Sequence, residues 1–190
     1  MQRVKRIVSA AIIAACGLGS SPAFSEEVYL IRGFMDIFSE GINEIDYKLT
    51  TAGIKTTTVS NGNWGSLADD IIERSKNEEV SFPIVIAGHS LGGVEAVMFA
   101  NRLGNAGVDT DLLIGLDPGF VVPPPVKRGA KKVFNYKIPS GKDYKEGKGF
   151  DGEIETIDAT QFDTKHTTID ENEQVQELVI SHIMETVKKK

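Results

Sequence analysis

From residue 26 onward two hydrophobic patterns alternate along the chain. Short, mostly apolar or β-branched runs occur over 28–31, 54–59, 83–87 and 111–116, and weaker ones over 131–138 and 153–157. Runs of that length, bounded by Gly, Pro and Asn, predict buried strands. Between them, apolar residues return every three or four positions. Ile42, Ile45, Leu49 and Ala52 do so over 38–52, and Leu67, Ala68, Ile71 and Ile72 over 64–76. That spacing puts one apolar stripe on a helix. Further helices are predicted over 91–103 and from Thr168, where Glu171 completes a capping box and Val175, Leu178, Val179, Ile183 and Val187 supply the core face.

Continuous apolar strands alternating with helices predict an α/β fold. Its form is a three-layer α/β/α sandwich around a mostly parallel sheet of about six strands. The stretch 117–152 offers strands but no convincing helix. Its Pro123-Pro124-Pro125 segment is rigid and extended, and 141–152 is a polar Gly/Lys-rich loop. An antiparallel pairing at that edge stays open.

The first 25 residues follow neither pattern. Arg3, Lys5 and Arg6 precede an apolar run over 7–18, which is too short to span a bilayer. Small residues then lead to Ala23-Phe24-Ser25. This is the form of a secretory signal peptide, which makes 26–190 the mature domain and implies export to the periplasm or beyond. Ile13-Ala14-Ala15-Cys16 also has the form of a lipobox, so a lipid anchor at Cys16 is the competing outcome.

Composition sharpens this picture by exclusion. With 41% hydrophobic, 25% charged and 7% aromatic residues, the 190-residue chain is neither disordered, collagen-like nor a multi-span membrane protein. Its net charge of −6 becomes −9 once residues 1–25 are set aside, which argues against a nucleic-acid partner. One cysteine rules out an internal disulfide or a Cys-based zinc site, and no cofactor or metal is implied.

Candidate chemistry begins at Gly88-His89-Ser90-Leu91-Gly92-Gly93, between a predicted strand and a predicted helix. A sharp strand-to-helix reversal exposes the Ser90 hydroxyl, and flanking glycines let backbone approach. The N–H of Leu91, at the positive end of the helix, can donate to a developing oxyanion. A serine needs a base. Of three histidines, His89 adjoins Ser90 and is expected to pack beside the turn, and His182 lies on the apolar face of the last helix. His166 sits in the loop after the sixth strand, at the strand edge that also carries Ser90.

Asp117 ends the fourth strand and is the preferred carboxylate to orient that base, with Asp143 the rival. A second oxyanion donor is expected after the first strand, at Phe34 N–H or else Met35 N–H. Met35, Trp64 and Phe120, with Phe34, Val121 and Val122, are candidates to line an apolar substrate pocket.

Together these residues resemble the α/β-hydrolase superfamily in its lipase, esterase and thioesterase branch. The order Ser90, Asp117, His166 is similar to that superfamily's nucleophile–acid–histidine order, and Gly115-Leu116-Asp117-Pro118 resembles the acid of pancreatic-type lipases, which favours Asp117 over Asp143. The resemblance implies a reduced hydrolase fold without a lid. It further implies cleavage of a small or lipid-like carboxylic ester or thioester through an acyl-enzyme. A silent binding protein on the same fold, or an acyltransferase with the same three residues, is the alternative.

Overall fold

The computed structural model describes residues 26–34 and 39–188. The export segment, Cys16 and Met35 therefore lie outside the described residues. Six strands form in the expected places: β1 Glu27–Ile31, β2 Thr56–Val59, β3 Ile84–His89, β4 Thr110–Leu116, β5 Ala130–Lys137 and β6 Glu153–Asp158. They join in one sheet of order β2-β1-β3-β4-β5-β6, and every pairing is parallel. The antiparallel edge left open by the sequence does not occur.

Alternation along each strand divides the core in two. Val28, Leu30, Val85, Ala87, Leu112 and Ile114 meet α1 (Glu40–Thr51) and α4 (Glu173–Lys188) on one face. Tyr29, Ile31, Ile84, Ile86 and Leu113 meet α2 (Trp64–Ser75) and α3 (Leu91–Asn105) on the other. Burying both faces is why the central strands read as continuous apolar runs.

Two crossovers carry no α-helix. The chain from 117 to 129 and from 138 to 152 covers the α3 face beside β5 with Val126 and Tyr144, both buried. The two loops brace each other through a short parallel bridge between Val126 and Glu146. Tyr144 reaches across to donate its hydroxyl to Gly93 O at 2.6 Å, which pins the second loop to the start of α3.

The last helix begins later than its capping-box signature suggests. The cap is Asn172, whose Oδ1 accepts from Val175 N–H at 3.1 Å, and Thr168 instead closes a turn with Lys165. Tertiary contact overrides the local signal: Ile169 and Asp170 are buried, and a Cβ on Gly41 would meet Asp170 O at 2.1 Å. Residues 163–172 are thus drawn across the start of α1, which places His166 over the C-terminal ends of the strands.

Candidate active site

Ser90 occupies the turn between β3 and α3 at φ 56° and ψ −119°, a region that non-glycine residues rarely adopt. Two features impose it. Ser90 N–H donates to Leu116 O at 2.9 Å, tying the turn to the end of β4. The flanking glycines accept contacts no side chain permits: a Cβ on Gly88 would lie 2.3 Å from Gly92 O, and one on Gly92 would lie 2.3 Å from Ile31 O. The sequence pattern is thus a packing requirement.

Asp117 follows β4, also at positive φ (44°), and is 1% exposed. Its N–H donates to Tyr136 O, and its Oδ1 accepts from Ile138 N–H at 3.0 Å. Oδ2 lies 2.6 Å from His166 Nδ1. On the far side of the ring, His166 Nε2 lies 2.9 Å from Ser90 Oγ. The carboxylate can only accept when ionised, so Nδ1 carries the proton and Nε2 presents its lone pair to the serine hydroxyl. A hydroxyl, an imidazole and a buried carboxylate are in line at the C-terminal edge of the sheet, where open α/β sheets place their ligand sites.

A family model described as lipase (class 3) matches residues 11–116, more than half of the chain. The chain belongs to the class 3 lipase family. It is accordingly an ester-bond hydrolase by family. The matched region holds Ser90 and stops one residue before Asp117, so Asp117 and His166 are joined to it only by the contacts described above.

Among solved structures, this class 3 lipase is similar to the NocB thioesterase domain from the nocardicin cluster. The TM-score is 0.52 at 13% identity, with 86% of this chain and 94% of that one covered. A covalent complex of that thioesterase domain with a fluorophosphonate nocardicin G analogue matches at TM-score 0.49 and 14% identity, covering 85% and 94%. At such identities the likeness is one of fold. A comparison with curated proteins returns no match.

Beside Ser90 the lipase carries a cavity of about 170 Å³ lined by Gly33, Phe34, Ser39, His89, Ser90, Phe120, His166 and Thr167. Its mouth is apolar: the Phe34 and Phe120 rings, 50% and 70% exposed, lie with centroids 5.6 Å apart. Val121 and Val122, which follow Phe120 in the chain, are exposed and do not line the cavity. A larger cleft of about 610 Å³, between Phe82 and His182, contains none of Ser90, Asp117 or His166.

The remaining candidates separate. Trp64 does not reach the cavity; it opens α2 and packs toward Phe99 in the core, with ring centroids 6.4 Å apart. Its apolar face is claimed by the helix–helix interface, which corrects the expectation that it lines the substrate pocket. Asp143 sits apart from His166, on the surface, where Lys137 at 2.7 Å holds its carboxyl below the usual range. His182 stacks on Phe134 at 3.8 Å, and burial lowers its pKa. Leu91 is the first residue of α3, and first-turn amides lack an intrahelical partner. Gly33 N–H is taken by Ser39 Oγ at 2.8 Å.

His89 holds more than its place beside Ser90 suggests. It is fully buried, with Nδ1 2.9 Å from Ser39 Oγ and Nε2 2.8 Å from the main-chain O of His166. No local signal announces this, because the partners lie 50 and 77 residues away. Asp170, also buried, stands 3.6 Å from His89 Nδ1. Its burial pushes the carboxyl up to about 7, partly offset by the amides of Gly41 and Ile42 at the start of α1.

Proposed function

We propose that this class 3 lipase cleaves a short-chain carboxylic ester or thioester by a Ser90–His166–Asp117 mechanism. The observation that carries the reading is the unbroken chain from Ser90 Oγ through His166 to Asp117, at 2.9 and 2.6 Å.

In this mechanism Ser90 Oγ attacks the carbonyl carbon as its proton passes to His166 Nε2. Asp117 stabilises the imidazolium. The N–H groups of Leu91 and Phe34 hold the tetrahedral oxyanion. Collapse of the intermediate breaks the bond to the alcohol or thiol, which leaves with the proton from Nε2. Water, deprotonated by the same nitrogen, then attacks the acyl carbon and frees Ser90.

Cavity size supports the substrate class. About 170 Å³ is small beside the roughly 300–1,000 Å³ of pockets that enclose drug-sized ligands, which favours a short acyl group. Phe34 and Phe120 supply its apolar walls. The basic-then-apolar segment over 1–25 supports export, by cleavage near Ser25 or by lipidation at Cys16.

The test pairs a fluorophosphonate probe with a panel of p-nitrophenyl esters. The wild-type chain is expected to bind one equivalent of probe at Ser90. Ser90→Ala is expected to lose labelling and at least ~10⁴-fold in kcat while keeping its melting temperature. The chain-length optimum is expected between butyrate and hexanoate. Ester turnover by pure Ser90→Ala protein refutes the mechanism, and an optimum at long acyl chains refutes the substrate class.

A further inference from the structure

We propose that His89 is a positioning residue whose imidazole locks the loop of the base and the loop after β1 to the nucleophile turn. The proposal rests on the Ser90–His166–Asp117 reading above.

For a neutral His89 ring the hydrogen bonds have one consistent direction. A main-chain carbonyl can only accept, so His89 Nε2–H donates to His166 O, at 2.8 Å. In the neutral ring Nδ1 is then an acceptor and takes the hydroxyl proton of Ser39, at 2.9 Å. Ser39 Oγ in turn accepts from Gly33 N–H, at 2.8 Å. The series runs from Gly33 through Ser39 and His89 to the backbone of His166.

What it joins matters more than its length. His89 is covalently next to Ser90, so its ring is fixed to the nucleophile turn itself. The carbonyl it grips belongs to His166, the residue whose Nε2 must face Ser90 Oγ. Asp117 determines how the His166 ring is rotated; His89 determines where the His166 backbone stands. At the other end, Ser39 occupies the Gly33 amide and so fixes the turn that presents Phe34 N–H. His89 and Ser39 are both buried, so water does not compete for these bonds.

The arrangement is not a second catalytic set. Ser39 and Asp170 both approach Nδ1, at 2.9 and 3.6 Å, whereas a relay needs them on opposite nitrogens. The Nε2 proton faces a carbonyl that cannot take it.

Side chains that mimic one ring nitrogen each provide the test. His89→Gln places an amide N–H near the Nε2 position and can still hold His166 O. His89→Asn reaches only toward Ser39. His89→Leu does neither. Since a displacement of about 1 Å can cost 10²-fold, His89→Leu and His89→Asn are expected to lower kcat by about 100-fold with KM changed less than about threefold. His89→Gln is expected to recover kcat to within about tenfold of wild type.

Wild-type kcat in His89→Leu overturns the proposal. So does equal kcat in Gln and Asn variants of equal melting temperature, a comparison that decides the matter even if His89→Leu does not fold. Ser90→Ala is run beside them. If it retains turnover, the underlying mechanism falls; if it is dead while His89→Leu is fully active, only the positioning role falls.

Discussion

Asp117 spends its two oxygens on different partners, Oδ1 on Ile138 N–H and Oδ2 on His166 Nδ1. An amide at this position cannot serve both as the carboxylate does, because one of its two ends is a donor. Asp117→Asn is expected to lower kcat by about 10³–10⁴-fold, by favouring the wrong imidazole tautomer. Asp143→Asn removes only a solvent-facing pair with Lys137 and is expected to leave kcat within about twofold, as surface changes of this kind usually do. Steady-state ester hydrolysis by the two variants checks both values. That Ser90, Asp117 and His166 come together is legible in the sequence, because each follows a predicted strand whose end falls at one edge. The place of Ser39 is not, since a lone serine before a helix reads as a cap. In the structure its hydroxyl makes no capping bond and goes to His89 instead.

At the scale of elements, the helix-free crossover after β4 is what shapes the site. It runs Asp117-Pro118-Gly119-Phe120, with Phe120 at φ 66°, and lays Gly119 against the His166 ring. A Cβ on Gly119 would stand 2.9 Å from His166 Cε1. Gly119→Ala is therefore expected to push the imidazole off line and lower kcat by at least tenfold, with a melting temperature close to wild type. Parallel measurement of ester turnover and thermal unfolding separates the two effects. The strands and the first three helices were legible because each carries its own periodicity. The start of α4 was not, because Asp170 packing on Gly41 outweighs the Thr168–Glu171 signature.

At the scale of the whole molecule, Asp170 makes stability depend on pH. Its carboxyl is fully buried, and desolvation, only partly offset by the nearby amides, raises its pKa from 3.8 to about 7. The folded state therefore holds this proton more tightly than the unfolded chain. The contribution is present in full below about pH 4 and is lost as pH rises through about 7. Asp170→Asn is expected to be more stable than wild type above pH 7, by about 2–4 kcal/mol, since one pH unit of difference is worth about 1.4 kcal/mol. The gap should close near pH 4. Denaturant melts of both proteins across that range measure it.

The all-parallel sheet has a kinetic consequence as well. Without a hairpin, no two strands can pair by closing a short local turn, and each pairing waits for a crossover segment to be drawn in first. β1 must slot between β2 and β3, both of which come later in the chain. Ser90 gains its bond to Leu116 O only when β4 has docked, and Asp117 its bond to Ile138 N–H only when β5 has. The Ser90–His166–Asp117 arrangement is thus completed late in folding, after both β4 and β5 have docked.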